Sequence, residues 1–148
     1  MPEAIPALTS LLLSEPDAEV KQMAAFAMGL IGDAAAATAL TTALSDNDPL
    51  IQGRAAEALG MIADKAAAPA VAAMVSAHIN AGGLNAITPD DLGYPKPPAA
   101  EAVRLGLYAL VRLGSYDSIA GSVLDAEGRP RSRWWPIAYA LQRVNDAR

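Results

Sequence analysis

An all-α stack of antiparallel helix pairs is the fold this sequence predicts, and three observations predict it. The first is repetition. The run AAFAMGLIGD at 24–33 returns 31 positions later as AAEALGMIAD at 55–64, and a fixed period of this size marks supersecondary units stacked in series. The second is spacing: Val20, Ala24, Ala27, Met28 and Ile31 share one helical face, and Ile51, Ala55, Ala58, Leu59 and Ile62 fill the same five slots one period on. The third is composition. Apolar residues reach 53% of the 148 residues, but much of this is alanine and only 5% is aromatic, a mix suited to closely packed helices rather than a β core.

Each element follows in turn. The first pair comprises a helix over 4–13, a turn at Ser14-Glu15-Pro16-Asp17, and a helix reaching about Ile31, with Asp17 as N-cap and Gly32 as stop. The second runs over 34–44, turns at Ser45-Asp46-Asn47-Asp48-Pro49, and continues to Ile62. A third begins with a helix over 66–79. Its partner over 99–113 places Ala102, Gly106, Ala109, Leu110 and Leu113 in the five slots at an offset of 51 instead of 31, so about 20 residues are inserted over 80–98. The fourth pair covers 116–125 and 133–144, with Ile137, Ala140, Leu141 and Val144 in four slots and Arg133 breaking the first. The chain thus divides into repeats over 4–33, 34–64, 65–115 and 116–146, one domain over 1–148. Alanine at inner slots lets paired helices approach closely. Gly29 and Gly60 would each cost about 1 kcal/mol against alanine in an isolated helix, which a close contact with the next unit would offset.

The pattern Val20-x-x-x-Ala24-Ala25-x-Ala27-Met28-Gly29-x-Ile31-Gly32-Asp33, and its better copy from Ile51 to Asp64, resembles HEAT repeats, most closely the short bacterial type also found in phycobilisome lyases. The resemblance covers 4–75 well and 99–146 loosely. It implies a right-handed α-solenoid with first helices on the convex side and second helices lining the concave side, and a role in protein–protein binding and scaffolding.

Charge and cysteine content narrow the functional classes. The net charge of −5 argues against general binding to nucleic acid or to anionic membrane. It is unevenly shared: four basic residues face eleven acids through residue 100, a net −7, and seven arginines face five acids thereafter, a net +2. Without cysteine there is no disulfide, thiolate nucleophile or Cys-based metal site. Neither a signal peptide nor an apolar run of about 18 residues is present, so a cytoplasmic protein is expected.

Read across the second helices, the non-core positions form columns. One is Phe26, Glu57, Tyr108, Tyr139; a turn earlier lie Gln22, Gly53, Arg104, Trp135; a turn later come Leu30, Met61, Arg112, Arg143. The C-terminal half collects Arg104, Tyr108, Arg112, Trp135, Tyr139 and Arg143, the residue types that dominate interface hot spots. These six are the candidate partner-binding residues. The competing reading is ordinary packing, with aromatics filling space between helices and arginines solvated. In Arg129-Pro130-Arg131-Ser132-Arg133-Trp134-Trp135-Pro136, arginines beside tryptophans could stack on nucleobases or clasp acidic groups. The structural reading instead has Ser132 as helix cap, one Trp in the core and one half-exposed, arginine stems over the indoles, and Pro136 near the first turn. In the insertion, Leu84, Ile87, Leu92 and Tyr94 are expected to pin the loop to the domain, since long loops in compact domains are functional or disordered.

Enzyme readings lack support. His78, the only histidine, sits on an Ala/Val/Met helix and reads as a satisfied or surface residue. Asp90-Asp91 starts a turn after Pro89 and lacks the further oxygen ligands a cation needs. No GxSxG, Walker A, HExxH or GxGxxG motif occurs. No catalytic residue, metal or cofactor is therefore expected, and fold alone implies no lyase activity. The expected function is a non-catalytic protein-interaction scaffold using the concave wall. The alternative is an accessory or lyase-like subunit binding a small ligand between the 80–98 insertion and Trp134/Trp135. The opening helix carries Ile5, Leu8, Leu11, Leu12 and Leu13 without a polar cap before it, whereas terminal repeats normally present a polar outer face. A fragment of a longer array, or a homo-oligomer through the end repeats, is expected.

Overall fold

The computed structural model describes residues 2–144. The last two positions of the fourth predicted repeat, and Arg148, lie outside them. Among the described residues eight α-helices form four antiparallel pairs: α1 Ile5–Ser14 with α2 Ala18–Ile31, α3 Ala37–Ala43 with α4 Pro49–Met61, α5 Ala68–Asn80 with α6 Pro98–Leu113, and α7 Tyr116–Val123 with α8 Trp135–Arg143. The second members α2, α4, α6 and α8 stand side by side as one layer, with the first members along their other flank. This is the all-α solenoid that the period implies.

Local chemistry sets the ends of these helices. The Asp17 carboxylate accepts from the Glu19 amide at 2.9 Å and Asp48 repeats this on Leu50 at 2.9 Å, each satisfying a first-turn donor. Gly32 and Gly114 end α2 and α6 in the left-handed region, with φ of 74° and 69°. The predicted cap at Ser132 is corrected. Ser132 Oγ accepts from the Trp134 amide at 3.2 Å, but α8 starts two residues later than expected, behind Trp134. A short hairpin precedes this segment: Leu124 and Pro130 bridge antiparallel, and Asp125 accepts from the Glu127 and Arg129 amides at 3.0 and 2.8 Å. Arg133 accordingly sits outside the helix, exposed.

The core runs unbroken along the stack between the layers, from Leu12 and Met28 through Leu40, Leu59, Val75 and Leu110 to Ile119, Trp134 and Ile137. Small residues bring the second helices close. A β-carbon built on Gly29 would lie 3.0 Å from Ala58 Cα, and one on Gly60 would lie 3.0 Å from Ala109 Cα. The helix penalty of these glycines is thus offset by backbone contact with the next helix. A polar thread also ties three pairs together: Lys21 to Asp46 at 3.1 Å, Gln52 Nε2 donating to the Asp46 carbonyl at 2.5 Å, and His78 Nε2 on Gln52 Oε1 at 2.5 Å. His78 is therefore a satisfied residue, and burial pushes its imidazole below its ordinary pKa.

Candidate binding surface

The candidate residues lie on α6 and α8. Four turns of α6 carry Arg104, Tyr108 and Arg112 at intervals of four, one helical face; α8 carries Trp135, Tyr139 and Arg143 at the same interval. The structure brings four of the six together. Tyr108 and Tyr139 meet edge to face with centroids 5.6 Å apart, and Trp135 meets Tyr139 likewise at 6.2 Å. The Arg104 guanidinium lies 5.3 Å from the Tyr108 ring centre and 5.8 Å from that of Tyr94. Glu101, one turn earlier, accepts from Arg104 through both carboxylate oxygens, Nε to Oε2 at 3.0 Å. That pairing holds the guanidinium even more firmly protonated than usual. Arg112 is exposed and, with Tyr108, Val111 and Tyr139, lines an open cavity of about 210 Å³. Arg143 is exposed on the last turn of α8. Among the described residues neither Arg112 nor Arg143 forms an ion pair.

The insertion completes this corner as a strap. The Asp91 carbonyl accepts from the Nε1 of both tryptophans, Trp134 at 3.3 Å and Trp135 at 3.1 Å, and from Lys96 Nζ at 3.1 Å. The Pro89 carbonyl accepts from the Trp135 amide at 2.9 Å. Lys96, its side chain only 3% exposed, pairs with the Asp91 carboxylate at 3.0 Å and lies 5.6 Å from the Trp134 ring centre. The Gly93 amide and then the Lys96 ammonium hold the Asp91 carboxyl below the usual carboxylate range. One tryptophan is in the core and one half-buried, as expected: Trp134 is 1% exposed. The expected pins are corrected in part. Leu84 is buried and Ile87 packs on the core, but Leu92 and Tyr94 are 73% and 67% exposed. Backbone carbonyls and Lys96 hold that part of the loop instead.

Of the arginines in 129–133, none stacks on an indole at cation–π distance; the cation over Trp134 is Lys96. Arg131 reaches inward to Ser76 Oγ at 3.1 Å, the Ser122 carbonyl at 3.0 Å and Asn80. Arg129 pairs with Asp125 and Glu127, both at 3.1 Å. Sequence reading also underrated the opposite end of the wall. There Met23, Phe26 and Leu30 of α2 are exposed along a groove of about 470 Å³ shared with Glu19, Gln22, Ala27 and Arg54. Its signal was the apolar stripe Met23-x-x-Phe26-x-x-x-Leu30.

No helix among the described residues is long and apolar enough to cross a membrane, and no group of three or more His, Asp or Glu among them is placed to hold a metal ion. No curated protein shows significant similarity to the chain. Residues 5–79, half the chain and both regular pairs, match HEAT repeats. With the 31-residue period and the layered helix pairs, that match decides the family: the chain belongs to the HEAT repeats.

Proposed function

We propose that the chain is a non-catalytic protein-interaction scaffold whose binding surface is the α6–α8 face of the inner wall. HEAT repeats generally mediate protein–protein interaction. The observation that carries the reading is Tyr139, 39% exposed, sharing an open cavity with the exposed Arg112, and with the exposed Arg143 one turn further along its own helix. Tyr108 and Trp135 pack edge to face against that tyrosine, and Arg104 lies over the Tyr108 ring, so little side-chain freedom is lost on binding. The chemistry suits an acidic segment with an apolar side chain for the cavity. A small ligand at the tryptophans has less support, because their indole N–H groups and Lys96 are already bonded to the Asp91 carbonyl.

The test is a quantitative pull-down with the wild type and an Arg112→Ala/Tyr139→Ala variant, beside a convex-side control, Ala73→Glu. Proteins that bind this face are retained by wild type and control, and are depleted by about tenfold or more on the double variant, a loss of about 1.4 kcal/mol. Its melting temperature stays near that of the wild type. Identical capture by all three, or a fall in binding matched by a fall in stability, returns these residues to packing.

A further inference from the structure

The two ends of the stack fit one another. Within the stack, each second helix presents one stripe to the helix before it: Ala58 and Met61 of α4 meet Gly29, and Ala102, Leu105 and Ala109 of α6 meet Gly53 and Gly60. Shifting by the repeat offsets places Met23, Ala27 and Leu30 of α2 at these positions. At the same positions Leu105 is 3% exposed and Met61 half-buried, whereas Met23 and Leu30 are 65% and 64% exposed. Met23, Ala27 and Leu30 thus form an apolar stripe with no helix on it among the described residues.

The complementary face is at the other end. Ala138 of α8 occupies the position of Ala25, Ala56 and Leu107, all fully buried, yet it is exposed. Leu141 is half-buried where Met28, Leu59 and Leu110 are fully buried. With Pro130, Trp134 and Ile137 they line an apolar cavity of about 240 Å³, rimmed by the exposed Arg133. Charge points the same way. Glu19 borders the Met23 stripe, Arg133 borders the Ala138 cavity, and residues 1–100 and 101–148 carry −7 and +2.

We propose that the occupant of each end is a second copy of this chain, joined head to tail, the Met23/Leu30 stripe of one copy seating on the Ala138/Leu141 face of the next. Such an interface is heterologous and leaves a free end on every assembly, so copies add in series. Seating buries two exposed large side chains and sets Glu19 against Arg133, an attraction that salt weakens.

Sedimentation velocity over a concentration series tests this on three forms of the full chain: wild type, Met23→Glu/Leu30→Glu with its head blocked, and Ala138→Glu with its tail blocked. All three substituted sites are exposed, and matching melting curves establish that the variants fold. The wild type grows past the mass of two copies as concentration rises, and less so in high salt. Each blocked variant alone stays at one copy, and a mixture of the two gives dimers and nothing larger, since each retains one working end. A wild type of constant single-copy mass overturns the proposal. So does dimerisation of the tail-blocked variant alone, which would pair two heads, or a mixture that stays at one copy.

Discussion

The inner wall is built in two ways, and the change falls at α6. Between α4 and α6 the facing positions include Gly53 and Gly60, and the backbones close on Ala102 and Ala109. One repeat on, the same two positions of α6 are Arg104 and Val111. Backbone contact is no longer available there, and α6 meets α8 through the rings of Tyr108, Tyr139 and Trp135. A seam of small residues is complete in itself. A seam of aromatics is not, because buried indole N–H groups need acceptors and a packed ring needs cover on both faces. The strap of residues 81–97 supplies both, the Asp91 carbonyl to the indoles and Lys96 to the Trp134 ring. On this view the insertion and the tryptophan pair are one structural unit.

Removing the buried ring that anchors the strap beside this seam has the largest expected effect. Trp134→Ala deletes a ring that is 1% exposed, removes one of the two rings that Lys96 lies over and takes one donor from the Asp91 carbonyl. The expected loss is about 3–5 kcal/mol in denaturant unfolding. Trp135→Ala, at a half-buried site, should cost clearly less. Near-equal losses would mean that the strap, rather than the Trp134 ring, holds the seam.

Widening the small-residue seam comes next. Gly60→Val installs at α4 the residue that α6 carries at Val111, but its β-carbon would stand 3.0 Å from Ala109 Cα and 3.2 Å from Ala109 Cβ. These neighbours are backbone and methyl, neither able to swing aside, so overpacking of about 1–3 kcal/mol is expected. Val111→Ala, in the wide seam, should cost less than that. A neutral Gly60→Val would show that α4 and α6 can separate as α6 and α8 do, and the contrast between seams would fail.

How much of this the sequence disclosed depends on whether the cause is local. Asp17, Gly32 and the 31-residue slots were legible because caps, stops and helical faces are set by neighbours within a turn or two. The ring cluster of Tyr108, Trp135 and Tyr139 was legible as columns once the helices were aligned. The strap was not. Its anchors are the carbonyls of Pro89 and Asp91, and a backbone acceptor leaves no mark on residue identity. Leu92 and Tyr94 misled for the opposite reason: their apolar character suggested burial, yet a single exposed apolar side chain is ordinary on a protein surface. The hairpin before α8 had a usable signal in Asp125-x-x-Gly128, a turn-former followed by a residue free to take its φ of 77°, and it moved the start of α8 past Ser132.

The smallest expected effect sharpens the comparison at the helix ends. Gly32, Ala63 and Gly114 hold one repeat position, and all three have positive φ, with Ala63 at 58°. At Ala63 and Gly114 the closing bonds match: Asp64 N to the Leu59 carbonyl at 3.2 Å, and Ser115 N to the Leu110 carbonyl at 3.3 Å. An L-residue in this conformation costs about 1–2 kcal/mol, and glycine's looser unfolded chain returns about 0.4–1 kcal/mol of that. Ala63→Gly should therefore stabilise by about 0.5–1 kcal/mol, raising Tm by about 2–3 °C. Ala63 is exposed, so no packing is lost. The reverse changes, Gly32→Ala and Gly114→Ala, meet nothing within 4 Å and should lower stability by a similar amount through φ alone. If Ala63→Gly instead lowers Tm, then the alanine methyl contributes more at the end of α4 than the strain it carries, and the three helix ends are not equivalent.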